Sequence, residues 1–152
     1  LAHLTRLNLT ANAIGHDGMV ALSTALRAGA LPKLEWLFLS GNRIDDVGVH
    51  ALASALREGA LPCVQQLWLD ENQIGNEGVS ALLCVGGAES ALRELLFLSL
   101  DKNRIERSGV GSIVGAIVAG AVPKLKNCML SDNPAGPRAQ QQVADAMQKR
   151  GR

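Results

Sequence analysis

The stretch LEWLFLSGNRI, Leu34 to Ile44, holds the pattern that decides the architecture. Leu34, Leu37 and Leu39 fall at the spacing of core residues. Trp36 and Phe38 alternate with them and, on a strand, project to the opposite side. The chain has two tryptophans, two phenylalanines and no tyrosine, so Trp36, Phe38, Trp68 and Phe97 are its whole aromatic complement. Their placement needs a reason.

The same pattern recurs along the chain in LTRLNLTANAI, VQQLWLDENQI, LLFLSLDKNRI and LKNCMLSDNPA. Each carries apolar residues at its first, fourth and sixth positions and an asparagine at its ninth. These asparagines, Asn12, Asn42, Asn72, Asn103 and Asn133, are separated by 30, 30, 31 and 30 residues, by subtraction. The longer interval coincides with the altered segment CVGGAESALREL. A register kept this closely marks a repeat array, in which no unit can bury its apolar face alone.

Each unit has a second half, as in GMVALSTALRAGALP, GVHALASALREGALP and GVGSIVGAIVAGAVP, with apolar residues at intervals of three and four. That is the helical period. Gly18, Leu22, Ala25 and Leu26 are expected to face inward in the first helix, with Gly48, Leu52, Ala55 and Leu56 as counterparts in the second. His16, Asp46 and Asn76 precede the helices at equivalent sites, and the latter two are favourable N-cap types. Gly29, Gly59 and Gly120, each soon followed by proline, supply the stop. The final segment, NPAGPRAQQQVADAMQKRGR, predicts one further helix from near Pro137, with Val143, Ala146 and Met147 inward.

The pattern of leucine-x-x-leucine-x-leucine-x-x-asparagine-x-isoleucine followed by a helix resembles the leucine-rich repeat family, in its long ribonuclease-inhibitor-like class. Two departures stand out: the 30 to 31 residue spacing is slightly long, and the fifth unit has Cys128 for leucine and Ala135 for isoleucine. The resemblance implies an α/β fold, a right-handed α/β solenoid bent into a horseshoe arc. Packing gives the same curvature, since helices lie about 10 Å apart and parallel strands about 4.8 Å, which puts strands on the concave face and helices on the convex face. Residues 1–152 are expected to form a single domain of about four full repeats plus a terminal strand and helix. Because LAHLTRL enters directly on a repeat strand, the chain is expected to be a fragment of a larger protein. The aligned asparagines are assigned to structure, their amides pairing with the backbone of adjacent units.

A net charge of +1 gives no basic surface of the kind nucleic acid or an anionic membrane calls for, and no apolar stretch approaches the roughly 20 residues of a membrane span. Cys63, Cys84 and Cys128 form an odd set without a short repeated spacing, which argues against a disulfide framework or a zinc site. Reduced thiols point to a cytoplasmic setting. Cys128 reads as a small core residue. His3, His16 and His50 are not placed beside a nucleophile, and the glycines of VGGAESAL and GVGSIVGAIVAGAV lack the lysine and hydroxyl of a phosphate loop. The expectation is a protein that is not an enzyme, with no metal, cofactor or small-molecule substrate.

The outward columns of the strands carry the site. One reads Arg6, Trp36, Gln66, Phe97 and Asn127; the other reads Asn8, Phe38, Trp68, Ser99 and Met129. All four aromatics lie in these two columns, with Phe38 beside Trp68 and with Gln66 between Trp36 and Phe97. Trp36, Phe38 and Trp68 are expected to be substantially solvent-accessible. Asp70, Glu71, Asp101 and Asp132 add an acidic margin at the strand exits. The partner-binding candidates are therefore Trp36, Phe38, Gln66, Trp68, Phe97, Asp70 and Asp101, presented to a protein. The resemblance implies a recognition module such as the sensing arm of a NOD-like receptor, or, alternatively, a regulator of a small GTPase like the Ran GTPase-activating protein.

Overall fold

The structure, a computed structural model, describes residues 1–84 and 91–150. Residues 85–90, which include the middle of the altered segment CVGGAESALREL and the glycines of VGGAESAL, lie outside the described residues. Among the described residues, five three-residue strands alternate with five helices: β1 (Arg6–Asn8), α1 (His16–Arg27), β2 (Trp36–Phe38), α2 (Asp46–Arg57), β3 (Gln66–Trp68), α3 (Asn76–Leu83), β4 (Phe97–Ser99), α4 (Arg107–Val118), β5 (Asn127–Met129) and α5 (Arg138–Arg150). The strands form one open parallel sheet in sequence order. Register is in step with the repeat, Leu7 opposite Leu37, Leu37 opposite Leu67, Leu67 opposite Leu98 and Leu98 opposite Cys128. This is an α/β leucine-rich solenoid, its core lying between sheet and helices.

The asparagines are the pins of the array. Asn42 Oδ1 accepts from the amides of Asn12 and Ile14 in the preceding unit, while its Nδ2 donates to the carbonyls of Leu9 and Leu39. Asn72, Asn103 and Asn133 repeat this reach, accepting from Ile44, Ile74 and Ile105. All four are buried. The Asn12 side chain is exposed and donates to the Thr10 carbonyl of its own unit. Burial explains the residue type: each side chain satisfies donors and acceptors from two units that water cannot reach.

Helix ends follow the glycines. The Gly29 and Ala30 amides donate to Leu26 and Ala25, and the pattern recurs at Gly59–Ala60 and Gly120–Ala121. These three glycines have φ of +75°, +89° and +79°. This is the paired closure of a Schellman motif, which a left-handed glycine permits.

Two expectations need correction. In α1 the buried residues are Met19, Ser23 and Leu26, whereas Gly18 and Ala25 are exposed and Leu22 half-buried. In α2 all four expected residues are buried, together with Val49 and Ala53. The difference is one of neighbours. A Cβ on Gly48 would lie 3.2 Å from Met19 of the helix before it, but one on Gly18 would meet only its own Ile14.

The second correction concerns the caps. Asp46 and Asn76 are first helical residues, and their side chains act on the following unit. Asp46 Oδ1 accepts from the Gly75 amide at 2.6 Å; Asn76 Oδ1 accepts from the Glu106 and Gly109 amides at 2.9 and 3.1 Å. His16 makes no such contact and sits 2.9 Å from Asp17. The α2 terminus is instead capped from within, by Asp45 on the Gly48 amide at 3.0 Å.

The outer edge of β5 is closed by one side chain. In earlier units the amides of Leu9, Leu39, Leu69 and Leu100 donate to Phe38, Trp68, Ser99 and Met129 of the next strand. Leu130 donates instead to Gln140 Oε1 at 2.9 Å, and Gln140 Nε2 donates to the Cys128 carbonyl at 2.7 Å. At the other end of α5, Arg150 donates to the carbonyls of Val122 and Leu125. The helix begins at Arg138 and buries Ala139, Val143 and Ala146, with Met147 half-buried.

Candidate binding face on the strands

Every strand presents its middle residue to the core and its two flanking residues outward, so the outward columns are set by register alone. Trp36 pairs with Gln66 and Gln66 with Phe97; Phe38 pairs with Trp68. The rings form one continuous row. Trp36 meets Phe38 edge-on with centroids 6.2 Å apart, Phe38 stacks on Trp68 at 5.6 Å, and Trp68 meets Phe97 at 4.4 Å.

Gln66 stands between Trp36 and Phe97 in the register, as expected, and the row passes around it through Phe38 and Trp68. Trp68 reaches Phe97 diagonally across the register, and its indole Nε1 donates to Gln66 Oε1 at 3.2 Å. The expectation that Trp36, Phe38 and Trp68 are substantially exposed is corrected: they are half-buried, as are Phe97 and Gln66, because each ring covers its neighbour. A contact of this kind adds roughly 0.5–1.5 kcal/mol beyond area burial and holds the rings in place.

At the β1 end, the exposed Arg6 sets its guanidinium 3.7 Å from the centroid of the Trp36 ring. It belongs to the same column as Trp36, which is the signal that could have included it among the site residues. The contact pairs a planar cation with the electron-rich face of the Trp36 ring.

The acidic margin is more ordered than surface charge alone implies. Asp70 Oδ1 accepts from Ser40 Oγ at 2.6 Å, and Asp101 Oδ1 accepts from the Ser131 amide at 2.6 Å. Both carboxylates are half-buried and each ties adjacent units together. Beside them the exposed Glu71 and Lys102 are 3.0 Å apart, and this contact raises the lysine pKa. Asp70 and Asp101 lie two residues past the ends of β3 and β4, at the strand exits.

The three cysteines are unpaired. Cys63 and Cys84 are exposed, whereas Cys128 is buried and its pKa is pushed up to about 12, first by burial and then by the charge of Asp101. That matches a core residue rather than a nucleophile. Among the described residues no group of three or more histidine, cysteine, aspartate or glutamate side chains could hold a metal, and no helix is long and apolar enough to cross a membrane.

Known proteins place this geometry. The family model described as "Leucine Rich repeat" matches residues 1–23, 30–53 and 60–83, the first three units. Among solved structures the chain is similar to "Leiomodin-1 Actin-Binding Site 2 (ABS2)", at 21% sequence identity and a TM-score of 0.75, covering 98% of this chain and 82% of that one. At that identity the likeness is one of fold. No curated protein matches the chain.

Proposed function

The chain is a leucine-rich repeat protein, and from that premise we propose that it is a non-catalytic recognition module whose protein partner seats on the concave strand face, centred on Trp36, Phe38, Trp68 and Phe97. The observation that carries this is the unbroken aromatic row, the chain's entire aromatic content gathered on the face that the core does not use. Aromatic anchors on a rigid scaffold are frequent centres of binding energy. The neighbouring carboxylates of Asp70 and Asp101 favour a partner segment that carries arginine or lysine, and the Arg6–Trp36 contact is an internal example of the chemistry.

Within this reading the module is the sensing arm of a larger cytoplasmic protein of the NOD-like receptor kind. The long strand-and-helix repeat supports that placement, as do the free thiols of Cys63 and Cys84. The leiomodin-1 domain of similar fold is named for binding actin, itself a protein, which accords with a protein partner.

The test is affinity capture from cell extract on two surfaces, the wild-type chain and a Trp68→Ala/Phe97→Ala variant with an unchanged circular dichroism spectrum. A protein retained by the first and lost from the second is expected. Equal retention on both surfaces would move the interface off the strand face.

A further inference from the structure

We propose a second interaction surface on the helical side: the groove between α4 and α5 takes a short acidic peptide segment with an aliphatic or aromatic anchor. It is independent of the strand-face reading and lies on the other side of the array. The groove has a volume of about 900 Å³, which is in the range of sites that bury most of a compact ligand or a few side chains.

Its origin is in the sequence of α4. Aligned on the repeat, α2 carries His50, Ser54 and Arg57 where α4 carries Gly111, Gly115 and Val118. The bulky polar cover is gone. A Cβ at Gly111 or Gly115 would meet nothing within 4 Å. Val114 is left half-buried in the floor and Val118 is 69% exposed at one end.

The opposite wall is anchored by hydrogen bonds. It runs through Pro134, Gly136 at φ +85° and Pro137, and α5 behind it is held at both ends by Gln140 and Arg150. Collapse onto the open floor would break those bonds. A preformed cleft of this kind lowers the ordering cost of binding.

Charge names the occupant. Arg107, Arg138 and Lys149 line the groove, all exposed and all without a salt-bridge partner among the described residues. The anion in the lining is Asp145, which is already engaged by Gln141 Nε2 at 2.7 Å. Three uncommitted cations around an apolar floor complement a segment that brings carboxylates on either side of an apolar side chain.

A library of random 12-residue peptides displayed on phage, panned against the whole chain, tests this, with selected peptides resynthesised and titrated. The expected consensus has acidic residues flanking one large apolar residue. Affinity should fall tenfold or more in Arg138→Glu/Lys149→Glu, weaken with added salt, and be unchanged by Trp68→Ala on the strand face. Gly111→Leu fills the groove where there is open space, so it should fold at least as stably as wild type and lose the peptide. Neutral or basic peptides, no enrichment over a blank surface, or peptides that also bind Gly111→Leu would each overturn the proposal.

Discussion

Asn76 Oδ1 lies 3.1 Å from the amide of Gly109, so a side chain in the first turn of α3 caps the first turn of α4. The same oxygen takes the Glu106 amide at 2.9 Å. Helix capping here is a contact between units, and it requires close approach: a Cβ on Gly109 would come 2.5 Å from that oxygen. Asn76→Ala should lower stability by about 1 kcal/mol, as loss of an N-cap does. Asn72→Ala should cost more, about 1–3 kcal/mol, because buried backbone groups of two units lose their partner. Denaturant titration of both variants checks the order.

Gln140 is a surrogate for a sheet neighbour, returning to β5 an acceptor and a donor that would otherwise face an open edge. Gln140→Leu keeps the size and removes both bonds. It should cost about 1–3 kcal/mol and raise amide exchange at Leu130 more than at Leu100, whose partner is the Met129 carbonyl. Equal protection at the two leucines would show that α5 shields the edge by packing alone.

Thiol chemistry should divide the cysteines two to one. With a disulfide reagent at pH 8, Cys63 and Cys84 should react promptly and Cys128 only on unfolding, since the first two are exposed and the third is buried. Burial pushes the Cys128 thiol up to about 12, above its ordinary value of 9.0, so the unfolded chain ionises first as pH rises. Its contribution is complete below about pH 9 and is lost progressively toward pH 12. Cys128→Ala should flatten that alkaline decline while lowering stability at neutral pH through the lost packing.

Much of this molecule was legible in its sequence, and the exceptions have physical causes. The strand leucines and the asparagines repeat because each faces the same environment in every unit, so alignment alone gave Leu37 opposite Leu67 and placed Asn42 and Asn72 in the structure's interior. The first helix was misjudged because its inward residues depend on which neighbours exist: Met19 meets α2, and Gly18 meets nothing beyond its own unit. The caps were misplaced by a residue because Asp46 and Asn76 act across units, which a reading one helix at a time does not see. On the strand face the columns were right, but the diagonal contact of Trp68 with Phe97 and the covering of each ring by the next depend on rotamers that no column shows. The groove between α4 and α5 was missed, although Gly111 and Gly115 on an otherwise covered helix face were the signal.

The most direct measurement of the central claim is a calorimetric titration of the captured partner against the wild-type chain and against Trp68→Ala, with circular dichroism and thermal melting of both. Trp68 sits in the row between Phe38 and Phe97, next to the buried Leu67 but on the opposite face of the strand, so the variant should keep its fold with only a modest loss of stability. Binding should weaken by about 2 kcal/mol or more, as for a hot-spot aromatic. A Trp68→Ala chain that folds and binds as tightly as wild type would make the aromatic row a structural brace and contradict the account.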